Sequence, residues 1–259
     1  MQKTNICDIK NKEKRGEKMI KAYAKTDIGK MREMNQDYFY VSNNELQLYI
    51  LADGMGGYQG GEIASKLAVI SVKNYIENNF NETPKDKENL LKLISSSIEY
   101  ANMVVYERAK EDNLEGMGTT LEVCLIYNNK VYIGHIGDSR IYRIRKEFIR
   151  KLTQDHSYVQ KLVKDGTITK EEAEHHPKKN MLMKALGCNA YVEPDVMMKI
   201  FQKEDILVIC SDGLTNMVKQ EDIYNIVTKN IDTAADNLIN LANENGGYDN
   251  ITVVLIQNC

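Results

Sequence analysis

The chain has 259 residues, of which 42% are hydrophobic and 27% are charged, and its formal net charge is -3. These values are typical of a globular protein with a sizeable core; they give no signature of nucleic-acid binding, and no apolar run approaches the roughly 20 residues of a membrane span. Five cysteines are scattered without a CxxC pair. This pattern argues against a zinc site or a disulfide framework and indicates reduced thiols in a cytoplasmic protein.

Residues 1–18 are polar, rich in lysine and without hydrophobic periodicity. We expect them to form either a disordered tail or a non-native extension of a protein that begins at Met19. The second alternative rests on the purine-rich codons for residues 15–18, which resemble a ribosome-binding site; peptides from before Met19 in the native protein would reject it. The rest of the chain, residues 19–259, has no internal repeat or proline-rich linker, so we expect one domain there.

The first half of the chain begins with strands and continues with two helices. Short apolar runs predict strands at residues 20–26, 37–42 and 46–52. Apolar residues that recur at steps of three and four predict helices at about 61–80 and 86–110. We interpret the apolar stripes of both helices as core packing rather than as a cofactor site.

The second half contains closely spaced strands, a polar insertion and two further helices. Strands are predicted at residues 118–127, 130–137, 140–145, 148–152, 195–201, 205–210 and 251–256, with helices at 220–229 and 232–244. Residues 155–190 are mostly polar, with helical patches at 158–164 and 170–175, and we expect them to form an appended flap. This order of elements predicts an α+β fold in which a β-sandwich is flanked by helices.

A basic stretch, residues 140–151, has two interpretations. Its six arginines and lysines are compatible with a contact to a nucleic-acid backbone or with the solvated face of an edge hairpin. We favour the hairpin, because isoleucine and phenylalanine residues are interleaved with the charges. The sequence therefore predicts no nucleic-acid partner.

Five aspartates lie at strand ends, beside glycine or another turn former: Asp37, Asp53, Asp138, Asp212 and Asp249. Taken singly, each is explained better by a turn or a helix cap than by metal binding. As a set they are harder to explain in this way, since the strand ends of a sandwich converge at one edge. Like charges in contact repel and raise each other's pKa unless cations separate them. Oxygen ligands without histidine or cysteine favour Mg²⁺ or Mn²⁺ over zinc.

Two such cations about 3.5–4 Å apart suit the hydrolysis of phosphate esters, because they activate a water and neutralise the phosphoryl oxygens during in-line attack. A phosphate also needs a cationic group on its outer oxygens, which arginine provides bidentately. Arg32 lies five residues before Asp37 and is the candidate for this role. Its alternative interpretation is a surface salt bridge.

Six short motifs occur in order along the chain. They are Arg32-Glu-Met-Asn35-Gln36-Asp37, Asp53-Gly54-Met55-Gly56-Gly57, Gly118-Thr119-Thr120, Gly137-Asp138-Ser139-Arg140, Ser211-Asp212-Gly213-Leu214 and Gly247-Tyr248-Asp249-Asn250. Each is weak alone, but together they resemble the metal-dependent protein phosphatases of the type 2C class, especially the short bacterial members that are paired with Hanks-type kinases. The resemblance covers about residues 20–257, nearly the whole chain.

The resemblance implies an antiparallel β-sandwich with helices on both outer faces, in α-β-β-α layers. It implies that residues 19–259 form the catalytic domain and that the flap, at about 155–190, influences substrate choice. The substrates would be phosphoserine and phosphothreonine in proteins, including a cognate serine/threonine kinase. The resemblance further implies a cytoplasmic enzyme without a membrane partner, and we expect it to be a monomer.

The resemblance also implies roles for single residues, with two or three Mn²⁺ or Mg²⁺ ions in the site. Asp53 would bridge two ions, with the carbonyl of Gly54 on one of them and Asp212 and Asp249 on the other. Two further aspartates would take part, Asp37 directly or through water and Asp138, together with Asp212, at a third ion. Arg32 would bind the substrate phosphate.

The chain departs from the family's pattern at two positions. Met55 occupies the position of a histidine that is the proposed general acid of eukaryotic members, and Gln36 replaces an acidic residue of animal members. The proton donor is therefore open: water at the metal centre is one candidate, and His156 or His176 of the flap is another. Both histidines are explained as well by solvent-exposed loop positions.

Two rival functions remain. A catalytically inactive relative that serves as a binding module would usually have lost metal-binding aspartates, whereas this chain keeps all five of them. A cation store or sensor is disfavoured, because the chain contains no Asp-x-Asp-x-Asp-Gly loop.

Overall fold

The computed structural model describes residues 20–42, 45–111, 114 and 116–259. The predicted tail or extension, residues 1–18, lies outside the described residues. None of the described helices combines the length and the apolar character that crossing a membrane requires.

Two antiparallel sheets form the centre of the fold. In the first sheet the strand order is β1-β11-β10-β7-β8, with β1 (Ile20–Asp27), β7 (Arg140–Arg145), β8 (Phe148–Lys151), β10 (Ile206–Cys210) and β11 (Ile251–Asn258). In the second sheet the order is β2-β3-β5-β6-β9, with β2 (Asp37–Val41), β3 (Gln47–Met55), β5 (Leu121–Tyr127), β6 (Lys130–Ile136) and β9 (Asp195–Ile200). A two-residue strand, β4 (Gly118–Thr119), pairs with the end of β3.

A pair of helices packs on the outer face of each sheet. The helices α1 (Gly57–Asn79) and α2 (Lys87–Glu111) share one apolar cluster with the second sheet. The helices α6 (Gln220–Lys229) and α7 (Ile231–Glu244) share another cluster with the first sheet. A third cluster fills the space between the sheets. The layers are therefore α-β-β-α, and the predicted α+β fold is confirmed.

Strand β3 shows why these apolar runs become central strands. Leu48 and Ile50 pack in the cluster that contains α1 and α2, whereas Tyr49 and Leu51 pack in the cluster between the sheets. Successive side chains of a strand point to opposite faces, so a strand that is covered on both faces has to be apolar at every position.

Two elements differ from the sequence-based prediction at the position that matters for function. Strand β3 does not end before Asp53 but continues to Met55, because Gly54 and Met55 pair with Thr119 and Gly118 of β4. Helix α1 begins at Gly57 rather than at 61. The glycines of this segment carry no apolar periodicity, so the sequence pattern does not indicate either extension.

The basic stretch forms the predicted edge hairpin, since β8 is the last strand of the first sheet. Arg145 forms an ion pair of 2.7 Å with the buried Asp205, and Arg140 pairs with Asp155 at 2.8 Å. These two arginines therefore serve the fold.

The segment 155–190 carries two short helices, as predicted. Helix α3 (Tyr158–Lys164) is capped by Ser157, and helix α4 (Lys170–Glu174) begins with a capping box that is formed by Thr169 and Glu172. We keep the name flap for residues 155–190. An isolated bridge between Thr119 and Leu186 joins the flap to the sandwich, and another, between Ser157 and Leu182, lies within the flap.

Candidate metal centre

The ends of strands from both sheets meet at one edge of the sandwich and carry the aspartates there. Asp37 and Asp53 are direct partners in the register of β2 and β3. Asp138 follows β6, and Asp249 precedes β11. Asp212 follows β10 and opens a short helix, α5 (Asp212–Thr215), that the sequence did not predict.

Four of the five aspartates line one open cavity of about 630 Å³: Asp53, Asp138, Asp212 and Asp249. Arg32 and Gly54 also line this cavity, which we call the central cavity. Asp37 does not line it. Among the predicted site residues, only Asp37 therefore lies beneath the surface of the cavity rather than on it.

The aspartates affect one another electrostatically. Burial, and then the charges of Asp37, Asp212, Asp138 and Asp249, raise the pKa of Asp53 well above its usual range. Burial and the charge of Asp212 raise the pKa of Asp138 to about 7, and burial and Asp249 raise that of Asp212. Such shifts mean that the ionised carboxylates repel, so the cluster needs protons or cations to be stable.

One carboxylate oxygen of Asp37 receives no hydrogen bond from the described residues. Its Oδ2 accepts hydrogen bonds from Ser211 Oγ at 2.8 Å and Thr252 Oγ1 at 2.7 Å. Its Oδ1 is buried and has no hydrogen-bond partner among the residues that the structure describes. Burial raises the pKa of this carboxyl group to about 7. A buried oxygen without a donor is costly, and a proton, a water molecule or a cation would satisfy it.

This donor set fits a hard divalent cation. The cavity offers carboxylate oxygens and a backbone carbonyl, and no histidine or cysteine of the described residues lines it. Within the described part of the chain, no three acidic, histidine or cysteine side chains are arranged to enclose an ion by themselves. Mg²⁺ usually keeps several waters and uses one or two carboxylates, and Mn²⁺ prefers the same oxygen ligands. The residues therefore fit hydrated Mg²⁺ or Mn²⁺.

Close packing of the backbone fixes the loops that carry these ligands. A Cβ atom on Gly54 would lie 2.0 Å from the carbonyl oxygen of Gly61 in α1. A Cβ atom on Gly213 would lie 2.0 Å from the carbonyl oxygen of Asn250. Glycine is therefore required beside Asp53 and Asp212, because any side chain would push the neighbouring segment away.

Thr120 holds Asp53 in position, a role that its place in the sequence does not reveal. The backbone N–H of Asp53 donates to Thr120 Oγ1 at 3.0 Å, and the N–H of Thr120 donates to the carbonyl of Asp53 at 2.9 Å. The Thr120 hydroxyl also lies 2.8 Å from that of Ser139, the residue after Asp138. The only sequence signal for this role was the motif that contains Thr120.

Asn250 holds the loop of Arg32, a role that the sequence does not indicate. Its Nδ2 donates to the carbonyls of Ile28 at 2.9 Å and Met34 at 3.0 Å. Its Oδ1 accepts from the N–H of Gln36 at 2.8 Å. One buried amide thus fixes both ends of the loop that presents Arg32 to the central cavity.

Arg32 forms a salt bridge, and this salt bridge lies at the central cavity. Its Nη2 forms a salt bridge of 2.8 Å with Asp249 Oδ2, and the side chain is 51% exposed. The hydrogen bond from Arg32 to Asp249 is the largest contribution that raises the pKa of the guanidinium. Because the same side chain lines the central cavity, the pair lies inside the site rather than on a remote surface.

The flap histidines do not line the central cavity. His156 Nδ1 accepts the N–H of Gly137 at 3.1 Å, and its Nε2 lies 3.2 Å from Asp195 Oδ2. Its side chain is only 12% exposed, so the exposed-loop interpretation is wrong for His156. Burial lowers its pKa to about 4. His176 is half-buried, and its Nδ1 accepts from the N–H of Lys178 at 3.1 Å.

A buried pair behind the site has no signal in the sequence. Glu122 Oε1 lies 2.6 Å from His135 Nδ1, and both side chains are fully buried. The ring of His135 also lies against that of His156, with centroids 4.5 Å apart. Burial raises the pKa of Glu122 to about 7, against the opposing effect of His135. The pair supports β6, the strand that leads to Asp138.

Comparisons with known proteins agree with this geometry. A family model described as protein phosphatase 2C matches residues 30–246. The chain is 40% identical over 236 residues to the protein phosphatase PhpP of Streptococcus pneumoniae. This alignment covers 89% of the chain and 94% of PhpP.

Solved structures extend the similarity to the fold. The serine/threonine phosphatase of S. agalactiae matches with a TM-score of 0.86 and 39% identity, over 93% of this chain and 100% of that one. The catalytic domain of the phosphatase PstP, in complex with two manganese ions, matches with a TM-score of 0.81 and 34% identity, over 92% and 97%. The predicted resemblance is thereby confirmed: the chain belongs to the protein phosphatase 2C family, a family of metal-dependent phosphoprotein phosphatases.

Proposed function

We propose that the chain is a metal-dependent serine/threonine protein phosphatase that hydrolyses phosphoserine and phosphothreonine in proteins. The observation that carries this proposal is the meeting of Asp53, Asp138, Asp212, Asp249 and Arg32 on one open cavity. Family membership gives independent support. A binding module without activity is less well supported, since the carboxylates are kept together at the cost of mutual repulsion.

The residues of the cavity suit two or three Mn²⁺ or Mg²⁺ ions. We assign Asp53 to a position between two ions, the carbonyl of Gly54 to one of them, and Asp212 and Asp249 to the other. The structure of PstP with two manganese ions supports this number for a relative. When bound, the ions supply an activated water and offset the charge of the phosphoryl group.

The two remaining aspartates have different surroundings. We assign Asp138, together with Asp212, to a third ion, because both line the cavity and the charge of Asp212 contributes to the raised pKa of Asp138. The buried Asp37 reaches the centre from below, either directly or through a water molecule. Its unpartnered Oδ1 is the atom that we assign to this contact.

Arg32 holds the phosphate in this proposal. In the structure its guanidinium is paired with Asp249, a carboxylate that the proposal assigns to a cation. If Asp249 binds a cation instead of Arg32, the guanidinium becomes free to bind two phosphate oxygens. The leaving serine or threonine oxygen takes its proton from solvent in the open cavity, since none of the histidines in the described ranges lines it.

The proposal extends to partners and location. Phosphorylated proteins are the substrates, and we include a cognate serine/threonine kinase among them. We also propose that the enzyme is a monomer. Cys124 and Cys210 are buried, unpaired thiols, as expected of a protein in the reducing cytoplasm.

The proposal is tested with the purified protein, a phosphothreonine peptide and p-nitrophenyl phosphate. We expect hydrolysis of both substrates with Mn²⁺ and its loss when a chelator is added. Restoration by excess Mn²⁺ would show that the chelator had not denatured the protein. Hydrolysis that persists without any divalent cation would contradict the metal mechanism.

Replacing Arg32 with alanine is expected to lower kcat/KM for a phosphopeptide by about tenfold or more, because the charge-assisted contact to the phosphate is lost. Arg32→Lys is expected to restore only part of the activity, since lysine cannot bind bidentately. The matched control is Lys30→Ala, which removes an exposed positive charge from the same loop. An unchanged kcat/KM in Arg32→Ala would overturn the assignment.

A further inference from the structure

A second groove opens beside the central cavity. It has a volume of about 1000 Å³ and lies between the flap helices α3 and α4 on one side and the segment from α5 to the start of α6 on the other. The groove and the central cavity share Asp138, Asn180 and Asp212. A polypeptide whose phosphorylated side chain occupies the central cavity can therefore continue directly into this groove, which we call the flap groove.

The walls of the flap groove carry a surplus of positive charge. Outside the aspartates of the metal centre, its lining includes five basic side chains and two acidic ones: Arg140, Lys151, Lys170, Lys179 and Lys219 against Asp155 and Glu174. A surplus of three positive charges in a concave site attracts anionic groups more strongly than the same charges on a flat surface.

The charges on the flap side are not balanced by the fold. Asp155 accepts from both Arg140, at 2.8 Å, and Lys151, at 3.0 Å. Lys170 is close enough for its charge to contribute to a lowered pKa of Lys151, for which burial is the main cause. Arg140 and Lys151 thus share one carboxylate, and Lys170 adds a third positive charge near them, so a further anion would be attracted to this place.

Lys170 and Lys219 are free to meet that anion. Lys170 is the first residue of α4, Lys219 precedes α6, and both are exposed. Neither ammonium group has an ion-pair partner within the described ranges of the chain. The two lysines therefore present unpaired charge from opposite walls of the same groove.

The lining of the central cavity has a different character. Met31, Met34, Met55 and Leu182 line it, and none of them lines the flap groove. A substrate segment that continues from the central cavity into the flap groove therefore meets several cationic side chains, whereas Arg32 is the one basic side chain among the described residues that line the central cavity. This difference means that the position of an acidic residue relative to the phosphorylated one has consequences for binding.

We propose that the flap groove binds the acidic flank of the phosphoprotein substrate, with Lys170 and Lys219 contacting a carboxylate or a second phosphate a few residues from the side chain that is dephosphorylated. The inference rests on the proposed function and specifies its substrate class. Residues of an extended peptide advance by about 3.3 Å each, so an acidic group two to four residues away lies about 7–13 Å from the reacting phosphate.

The test compares phosphothreonine peptides that differ only at one flank. One set carries two glutamates, one phosphoserine, two alanines or two lysines at positions two to four after the phosphothreonine, and a second set carries them before it. We expect one of the two sets to show a preference of about fivefold in kcat/KM for the acidic or doubly phosphorylated peptide over the alanine peptide. The preference is expected to decline in about 0.5 M salt.

Variants connect this preference to the groove. Lys170→Gln and Lys219→Gln are each expected to reduce the preference to about twofold or less, without changing kcat/KM for p-nitrophenyl phosphate, which is too small to reach the groove. The matched control is Lys164→Gln, since Lys164 is an exposed lysine of the flap that does not line the groove. It is expected to keep the preference. Substitution at Lys170 removes a positive charge from a helix N-terminus, so it does not threaten the fold.

The outcomes separate this inference from the proposed function. If the wild-type enzyme hydrolyses all peptides equally, or if both groove variants keep the preference, the inference is overturned while the proposed function stands. The same holds if Lys164→Gln loses the preference as fully as the groove variants do, because the effect would then come from the net charge of the protein. If no peptide is hydrolysed with Mn²⁺, the proposed function itself fails.

Discussion

Replacing Asp53 with asparagine is expected to lower the Mn²⁺-dependent kcat/KM by about 10³-fold or more, because the assigned bridging carboxylate is lost. The same substitution is expected to stabilise the metal-free protein. Burial and four neighbouring aspartates raise the pKa of Asp53, so this carboxyl group destabilises the folded state at neutral pH, whereas an amide does not. We expect a rise in Tm of about 3 °C or more in the presence of a chelator.

The two effects are measured on the same preparations, by peptide hydrolysis with Mn²⁺ and by thermal unfolding with a chelator. The matched control is Asp165→Asn, which changes an exposed aspartate at the end of α3. It is expected to change neither quantity. Loss of activity together with a large fall in the Tm of Asp53→Asn would mean that Asp53 supports the fold instead. Retained activity would contradict the assignment of a metal ligand.

The second expectation concerns pH and the metal together. Burial, with the neighbouring aspartates, raises the pKa of Asp37 and Asp138 to about 7, whereas an aspartate in the unfolded chain has a pKa of about 3.9. Between these values the folded state binds more protons than the unfolded state. The free energy of unfolding of the metal-free protein should therefore fall by a few kcal/mol as the pH rises from about 4 to about 7.

Mn²⁺ is expected to offset this loss of stability at higher pH, because a cation stabilises the deprotonated carboxylates that repel one another in its absence. The measurement is urea unfolding at pH 5 and pH 8, with Mn²⁺ and with a chelator. Stabilisation by Mn²⁺ should be greater at pH 8. Glu122 and His156 also have shifted pKa values, but they do not line the central cavity, so the difference made by Mn²⁺ isolates the aspartates. Equal stabilisation at both pH values would contradict the proton-linked binding of the cation.

Much of the fold follows from local patterns. The helix predicted at 158–164 and the strand predicted at 140–145 have the same limits in the structure. The local apolar pattern is sufficient there; in α3 it consists of Val159, Leu162 and Val163, at steps of three and four. The extension of β3 through Gly54 and the start of α1 at Gly57 could not be predicted in this way. The extension of β3 depends on pairing with β4, which lies more than 60 residues away in sequence, and the glycines at the start of α1 carry no apolar periodicity.

In the candidate site, too, some features follow from local sequence patterns and others depend on contacts between distant parts of the chain. The five aspartates could be found because each ends or begins an apolar run, and strand ends of a sandwich converge. The supports of the site could not be found from the pattern. Thr120 contacts Asp53 across 67 positions, and Asn250 contacts Gln36 across 214 positions. Such contacts exist only once the strands are paired, and they decide where Asp53 and the loop of Arg32 lie.

Calorimetric titration of the chelator-treated protein with Mn²⁺ tests most directly whether the aspartates hold cations. At pH 6.5, in two buffers of different ionisation enthalpy, we predict saturable binding of at least two ions with release of protons from the carboxyl groups. We further predict that Asp53→Asn weakens this binding strongly and that Asp165→Asn does not. Absence of saturable binding, or an unchanged titration of Asp53→Asn, would contradict the existence of the metal centre.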